Sequence, residues 1–359
     1  MTNYTRRKCR AINVGQVIVG GDAPISIQSM TNTDTMDKNA TLAQVRALED
    51  AGCDIVRITV PKPQAARTIE FIKNAGVNIP LVADIHFDYK AALAALEAGV
   101  DKIRINPGNI GDESRVRELA NAAKSRGVPI RIGVNSGSLE KSILAKHGAP
   151  TAAALCESAL YHASLLEKFD FYDTAISIKA SNAMTTIEAN RLLAEKCDYP
   201  IHIGVTEAGG ERMGPVKSAV GIGTLLAEGI GDTVRVSLTA DPVNEIYAAR
   251  SILDALGLSA KPHLNIISCP TCGRTRISLI ELLSKLENAV DAENLRDVPI
   301  TVALMGCAVN GPGEAREADV GIAGGDGDAL LFFKGVTAGK IPQEEIVPRL
   351  IEEIKKLRK

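Results

Sequence analysis

Pro80-Leu81-Val82-Ala83-Asp84-Ile85, a segment of helical spacing closed by Gly99, and then Lys102-Ile103-Arg104-Ile105-Asn106 decide how this chain folds. Both apolar runs are of strand length and rich in Val and Ile, and a helix between them returns the second strand parallel to the first. The unit recurs. Pro24 to Ser29, Asp54 to Val60, Pro129 to Val134, Ala175 to Lys179, Ile201 to Val205 and Thr233 to Leu238 complete a set of eight such runs. The segments between them carry helical spacing, as in Ala65, Ile69 and Ile72 or Leu155, Ala159 and His162. Most close on a glycine, among them Gly52, Gly76, Gly127, Gly229 and Gly257. Eight strand–helix units over about 240 residues predict an α/β fold, a TIM (β/α)8 barrel. A doubly wound open sheet is the runner-up, because a pattern of runs does not show closure. Ahead of the first strand, Ala11 to Gly21 alternates around Gly15 and Gly20-Gly21 and predicts a small hairpin over the barrel floor.

In such a barrel the active site forms at the C-terminal ends of the strands. Reading those positions in turn gives Gln28, Arg57, Asp84 with His86, Arg104 with Asn106, Arg131 with Asn135, Lys179 with Asn182, His202 with Glu207, and Arg235 with Ser237. A basic residue stands on five of the eight strands. A barrel interior packed for stability alone would carry Val, Ile and Leu there, since an unpaired buried cation is costly. Asp84 and Glu207 supply too few anions, so a ligand bearing phosphates is expected to supply the rest. Arg57, Asp84, Arg104, Asn106, Arg131, Asn135, Lys179, Arg235 and Ser237 are therefore the substrate-binding candidates. The small residues of Gly133 to Leu139 add backbone N–H groups able to wrap a phosphate. Glu207 is placed to pass a proton to a departing oxygen, its plain alternative being a partner for Arg235.

After Gly257 the rhythm changes. Leu258-Ser259-Ala260-Lys261-Pro262 reads as a linker, dividing the chain into a barrel, 1–260, and a smaller α+β domain, 261–359. There a strand leads into Cys269-Pro270-Thr271-Cys272. A helix spans Ser278 to Ala289, and a strand Ile300 to Met305 leads into Cys307. Strands lie around Val320 to Ala323 and Leu330 to Lys334, and a helix from Glu344 to Leu357 closes the chain. Three cysteines are one short of the four that normally hold a four-iron cluster. Either an iron stays open or another ligand, such as Glu314 in the Asn310-Gly311-Pro312-Gly313-Glu314 turn, completes the set. Zinc would want a second cysteine pair or a histidine pair, and the only histidine after residue 202 is His263. A redox dithiol would leave Cys307 without a role.

At 359 residues, 45% hydrophobic and 23% charged, the chain reads as an ordinary soluble protein. A net charge of −2 argues against nucleic acid, and no apolar run is long enough for a membrane span. The basic start, Thr5 to Arg10, is not followed by the apolar stretch of a secretory signal, so the cytoplasm is the expected location. Cys9, Cys53, Cys156 and Cys197 are scattered and read as reduced structural thiols.

The motifs resemble one family closely. They are Pro24-Ile25-Ser26-Ile27-Gln28-Ser29-Met30-Thr31, Leu81 to Phe87, Lys102 to Asn109, Arg131 to Asn135, His202 to Gly209, Ser268 to Arg274, and Gly306-Cys307 through Glu314. Together they are similar to 4-hydroxy-3-methylbut-2-enyl diphosphate synthases of the methylerythritol phosphate route to isoprenoids. The resemblance runs through nearly the whole chain and fits the two-domain bacterial form, without the extra middle domain of plant-type members. It implies a 4Fe–4S cluster on Cys269, Cys272, Cys307 and Glu314, and the two-electron reductive opening of 2-C-methyl-D-erythritol 2,4-cyclodiphosphate with loss of water. It also implies flavodoxin or ferredoxin as electron donor. Glu207, His202, Asn310 and Glu314 are then the catalytic candidates. Two readings from other classes compete: a cluster-bearing electron carrier or sensor with an idle barrel, and a non-redox barrel enzyme of pterin-binding type with a structural metal domain. A short linker would leave a cluster domain far from its own barrel mouth. A homodimer with sites completed in trans, hinged near Lys261, is therefore expected, as the resemblance also suggests.

Overall fold

A computed structural model describes residues 4–110, 112–260, 263–307, 313 and 316–358. Asn310 and Glu314, and the hinge position Lys261, lie outside the described residues. The chain divides into two compact units, Met1–Ser259 and Ala260–Lys359.

The first unit opens with β1 (Ala11–Val14) and β2 (Val17–Gly20), an antiparallel hairpin turning at Gly15 in the left-handed region, φ 56°. Eight parallel strands follow: β3 (Ser26–Met30), β4 (Ile55–Thr59), β5 (Leu81–Asp84), β6 (Lys102–Ile105), β7 (Ile130–Asn135), β8 (Thr174–Lys179), β9 (His202–Ile203) and β10 (Thr233–Val234). Neighbours in sequence pair in register, and β10 returns to pair with β3. The remaining junction, β8 to β9, is made by an Ile176–Ile201 bridge and by the Ile176 N–H donating to the Pro200 carbonyl at 2.9 Å. The ring therefore closes, and the open-sheet alternative falls.

Period-two alternation divides the strand residues between two environments. Val56, Ile58, Ile103, Ile105, Ile130, Ile132, Ile176 and Ile178 pack with helix residues such as Val45, Leu48, Ile69 and Ile72 in the outer core. Ile55, Val82 and Ala175 face the interior near its lower end, where Ile12, Val14 and Val19 of the hairpin seal it. The hairpin is the barrel floor, as the sequence predicts. Helix entries are capped by side chains expected to do so: Asp37, Asp88, Asp112, Thr151, Asn182 and Asp241 each accept a backbone N–H of the first turn.

The second unit is a five-stranded mixed sheet in the order β11 (Asn265–Ser268), β12 (Thr301–Met305), β13 (Val320–Gly324), β14 (Asp328–Phe333), β15 (Val336–Pro342). The first three are parallel and the last two antiparallel additions. Helices Leu279–Ala292 and Ile346–Leu357 supply Leu282, Leu286, Leu350 and Ile354 to a core with Val302, Leu304, Val320 and Ile322. The edge strand β15 escapes the sequence reading because Val336-Thr337-Ala338-Gly339-Lys340 is exposed throughout and shows no apolar alternation.

Candidate active site

The alternation that turns Ile103 and Ile105 outward turns Lys102 and Arg104 inward, and the same holds for Arg57, Asp84, Arg131 and Lys179 on their strands. Six cations, Arg57, Lys102, Arg104, Arg131, Lys179 and Arg235, thus share the barrel interior; Lys102 and Arg131 are each 1% exposed. Two carboxylates answer them. Asp84 lies 3.1 Å from Arg104 Nη1 and 3.8 Å from Arg57 Nε, with His86 at 3.9 Å. Burial opposes ionisation of Asp84, but Arg57 and Arg104 outweigh it and hold the carboxyl down at about 2. Glu245, on the helix Pro242–Ala255, takes Arg235 in a two-pronged contact, Nη2 to Oε1 at 2.8 Å and Nε to Oε2 at 3.1 Å. It also accepts from Ser29 Oγ at 2.7 Å. Arg235 is therefore paired with Glu245 rather than with Glu207.

No carboxylate among the described residues pairs with Lys102, Arg131 or Lys179. Arg131 donates from Nη1 to Ser177 Oγ at 3.1 Å, and its buried Nε and Nη2 have no partner. Lys179 Nζ lies 3.1 Å from His202 Nε2 while His202 Nδ1 is unmatched. With Lys179 Nζ donating to Nε2, the ring proton sits on Nδ1. Burial first and the neighbouring cations second push Lys102, Lys179, Arg131 and His202 well below their ordinary values. Gln28, 1% exposed, leaves both side-chain atoms without a partner.

Two glycines make the space. A Cβ at inward Gly133 would sit 2.3 Å from Arg104 Nε, and one at Gly204 would sit 2.4 Å from the Arg235 carbonyl and 2.9 Å from Lys179 Nζ. Beyond Asn135 the chain makes one 3₁₀ turn, and Glu140 then meets Nε2 of fully buried His162. Asn106 is buried beside this layer and Asn135 half-buried. Ser237 accepts from Arg235 Nη1 at 3.0 Å. Asn182 is a helix cap, not a free mouth residue. Glu207 stands exposed in the loop after β9 with φ 52°, a left-handed conformation that costs a non-glycine residue about 1 kcal/mol or more. A cavity of about 470 Å³ opens on the flank between the ends of β3, β4 and β10, touching the cations only at Arg235. Exposed Met36, Phe87 and Met213 stand on loops following β3, β5 and β9, and exposed Met184 in the first turn of the helix Ala183–Lys196 after β8.

The sequence reading missed Lys102, Glu245 and the two glycines. Lys102 was legible, being two residues before Arg104 on one strand and so on the same face. Glu245 was not, because its helix position is set by packing.

In the second unit, β11 and β12 run parallel with Ser268 opposite Leu304, so Cys269 and Cys307 leave adjacent strand ends. The Gly306 N–H donates to Cys269 Sγ at 3.2 Å, and Thr275 Oγ1 accepts from the Cys272 N–H at 3.1 Å. The backbone N–H of Arg274 holds the exposed Cys272 thiol below its ordinary value. Among the described residues no three His, Cys, Asp or Glu are grouped to hold a single metal ion. A four-iron cluster asks for something wider, since each thiolate binds its own iron. Two free thiols at adjacent strand ends, Cys269 already accepting an N–H, and a third, Cys272, in the loop beyond β11 suit that donor set. Cys53, buried with its thiol pushed up to about 12, and Cys156, also buried, are structural.

Fold and site together define a (β/α)8 barrel protein with a cation-lined interior, joined to a small mixed-sheet unit with thiols at and just beyond its strand ends. The chain belongs to the GcpE family: residues 9–250 match the GcpE TIM-barrel domain and residues 265–356 the GcpE protein C-terminal domain. It is 57% identical over 352 residues, 98% of each chain, to a protein of Ruminiclostridium cellulolyticum named 4-hydroxy-3-methylbut-2-en-1-yl diphosphate synthase (flavodoxin). A protein of the same name from Symbiobacterium thermophilum is 56% identical, over 97% of this chain and 92% of its own. The family resemblance of the motifs is borne out. Among solved structures, a type I 3-dehydroquinate dehydratase from Clostridium difficile superposes with a TM-score of 0.51 at 15% identity, over 69% of this chain and 98% of its own. That likeness shows the fold alone.

Proposed function

We propose that this chain forms 4-hydroxy-3-methylbut-2-en-1-yl diphosphate by reductive dehydration of 2-C-methyl-D-erythritol 2,4-cyclodiphosphate, with flavodoxin as electron donor. The observation that carries the reading is that no carboxylate among the described residues pairs with Lys102, Arg131 or Lys179 inside the barrel, and that Arg131 keeps two buried nitrogens without a partner. Burying a cation costs several kcal/mol, and an anion seated against Arg131 and Lys179 offsets it. A cyclic diphosphate has the charge and the size. Arg57, Arg104, Arg131, Lys179 and Arg235 hold its phosphates, Arg131 through the two nitrogens that lack partners. Asp84 keeps Arg57 and Arg104 oriented, and Glu245 does so for Arg235. Asn106, Asn135 and Ser237 complete the polar lining, with His202 beside Lys179.

Counted as neutral species, two electrons and two protons enter, one C–O bond of the cyclic diphosphate opens and one hydroxyl leaves as water. Glu207 delivers a proton to the leaving oxygen, and its left-handed backbone is the strain of a residue held for a task. Cys269, Cys272 and Cys307, with Glu314 as fourth ligand, would hold a 4Fe–4S cluster, and such a cluster would supply low-potential electrons. A carboxylate at Glu314 would exchange more readily than a thiolate; Asn310 lies four residues before it in sequence. The exposed Met36, Phe87, Met184 and Met213 support a mouth that is capped during turnover, in our reading by the small unit of a second copy. The protein acts in the cytoplasm. Anaerobic purification tests the cluster: brown protein with four irons and four sulfides per chain is expected, and loss of colour in Cys307→Ser. Full iron content in that variant contradicts the assignment.

A further inference from the structure

Lys102 is the cation for which the proposed substrate contacts leave no place. It sits two residues below Arg104 on β6, opposite Val82 in register, and Val82 packs on the floor hairpin. At 1% exposed it has no hydrogen bond or ion pair among the described residues. Its neighbour in sequence, Asp101, is committed elsewhere, pairing with Lys73 and accepting the Leu81 N–H at 2.7 Å. Arg57 from β4, Arg131 from β7 and His202 from β9 are the charged or titratable groups that act on Lys102, while Arg104 on its own strand and Asp84 on β5 stand two residues higher, opposite each other. Asp84 already serves Arg57 and Arg104. Below it the floor is Ile12, Val14 and Val19.

We infer that Lys102 is a proton-accepting positioning residue beneath the phosphate layer: neutral in the empty barrel, it takes up a proton when an anion occupies the Arg57–Arg131 layer above it. An ammonium buried without a counterion among cations gives up its proton more readily, and the depression of Lys102 by burial and by Arg131 and Arg57 agrees with the geometry. A bound diphosphate reverses the local sign. The gained charge then attracts the anion from below without touching it, so affinity is tied to a proton.

The inference rests on the reading of the barrel as a diphosphate site, and one titration separates the two. Inorganic diphosphate is titrated calorimetrically into anaerobically purified full-length protein at pH 7.5, in three buffers of different ionisation enthalpy. Wild type is expected to bind with net proton uptake, and Lys102→Met, of similar length, to bind within about tenfold of wild type while taking up about one proton fewer. Lys102→Gln serves as a second neutral replacement should the Met variant not fold. Unchanged proton uptake in a folded variant overturns the role of Lys102 and leaves the diphosphate site standing. Absence of binding to wild type overturns both.

Discussion

Gly133 and Arg104 compete for one volume, and the guanidinium has it. Because the clashing atoms are the far end of a flexible side chain, Gly133→Ala is expected to fold and to displace Arg104, weakening substrate binding about tenfold. Calorimetry on Gly133→Ala, Arg104→Ala and the double variant checks this: the double should bind no worse than Arg104→Ala alone. Additive losses would separate the two residues. Arg131→Ala removes a charge-assisted contact worth roughly 1.5–3 kcal/mol and is expected to raise the substrate Kd at least tenfold. Glu207→Gln should lower kcat with little change in Kd; the reverse pattern makes Glu207 a binding residue. The inward cations were legible because period two on a strand assigns every second side chain to one face. Arg235's partner was not legible, since Glu245 reaches it from a helix ten residues later.

At the scale of elements, eight strands could be read from apolar runs, but their lengths could not. Ile201 to Val205 and Thr233 to Leu238 reduce to the two-residue ladders of β9 and β10. Gly204 abuts the Arg235 carbonyl, and past it the chain departs into the loops that carry Glu207 and Ser237. Closure itself appeared only in the structure, through the single Ile176–Ile201 bridge. The packed-in lysines make the barrel's stability depend on pH. Lys102 and Lys179 have folded pKa values well below 10.5, so between the folded value and 10.5 the unfolded chain binds more protons and stability rises with pH. Above its folded value and below 10.5, each such lysine contributes a slope of up to about 1.4 kcal/mol per pH unit. Denaturant unfolding of substrate-free protein as pH is raised towards 10 should show a rise that Lys179→Met flattens; an identical slope in that variant shows that Lys179 contributes none of it. At the other end, Asp84 contributes stability that is present above its unfolded value near 3.8 and is lost as pH falls through about 2.

The molecule as a whole joins a cationic barrel to a thiol unit, and in our reading neither completes a reaction alone. In-trans assembly has a direct consequence. Glu207→Ala chains mixed with Cys307→Ser chains under subunit exchange should regain activity, because each mixed dimer contains one intact site. A mixture that stays inactive while exchange is demonstrated by mass would place both halves of a site in one chain. The reaction itself is tested by incubating anaerobically purified protein with 2-C-methyl-D-erythritol 2,4-cyclodiphosphate and reduced flavodoxin and counting product against electrons. One 4-hydroxy-3-methylbut-2-en-1-yl diphosphate for every two electrons consumed is expected; a protein with its full complement of iron and sulfide that binds the cyclic diphosphate yet forms no such product would contradict the assignment.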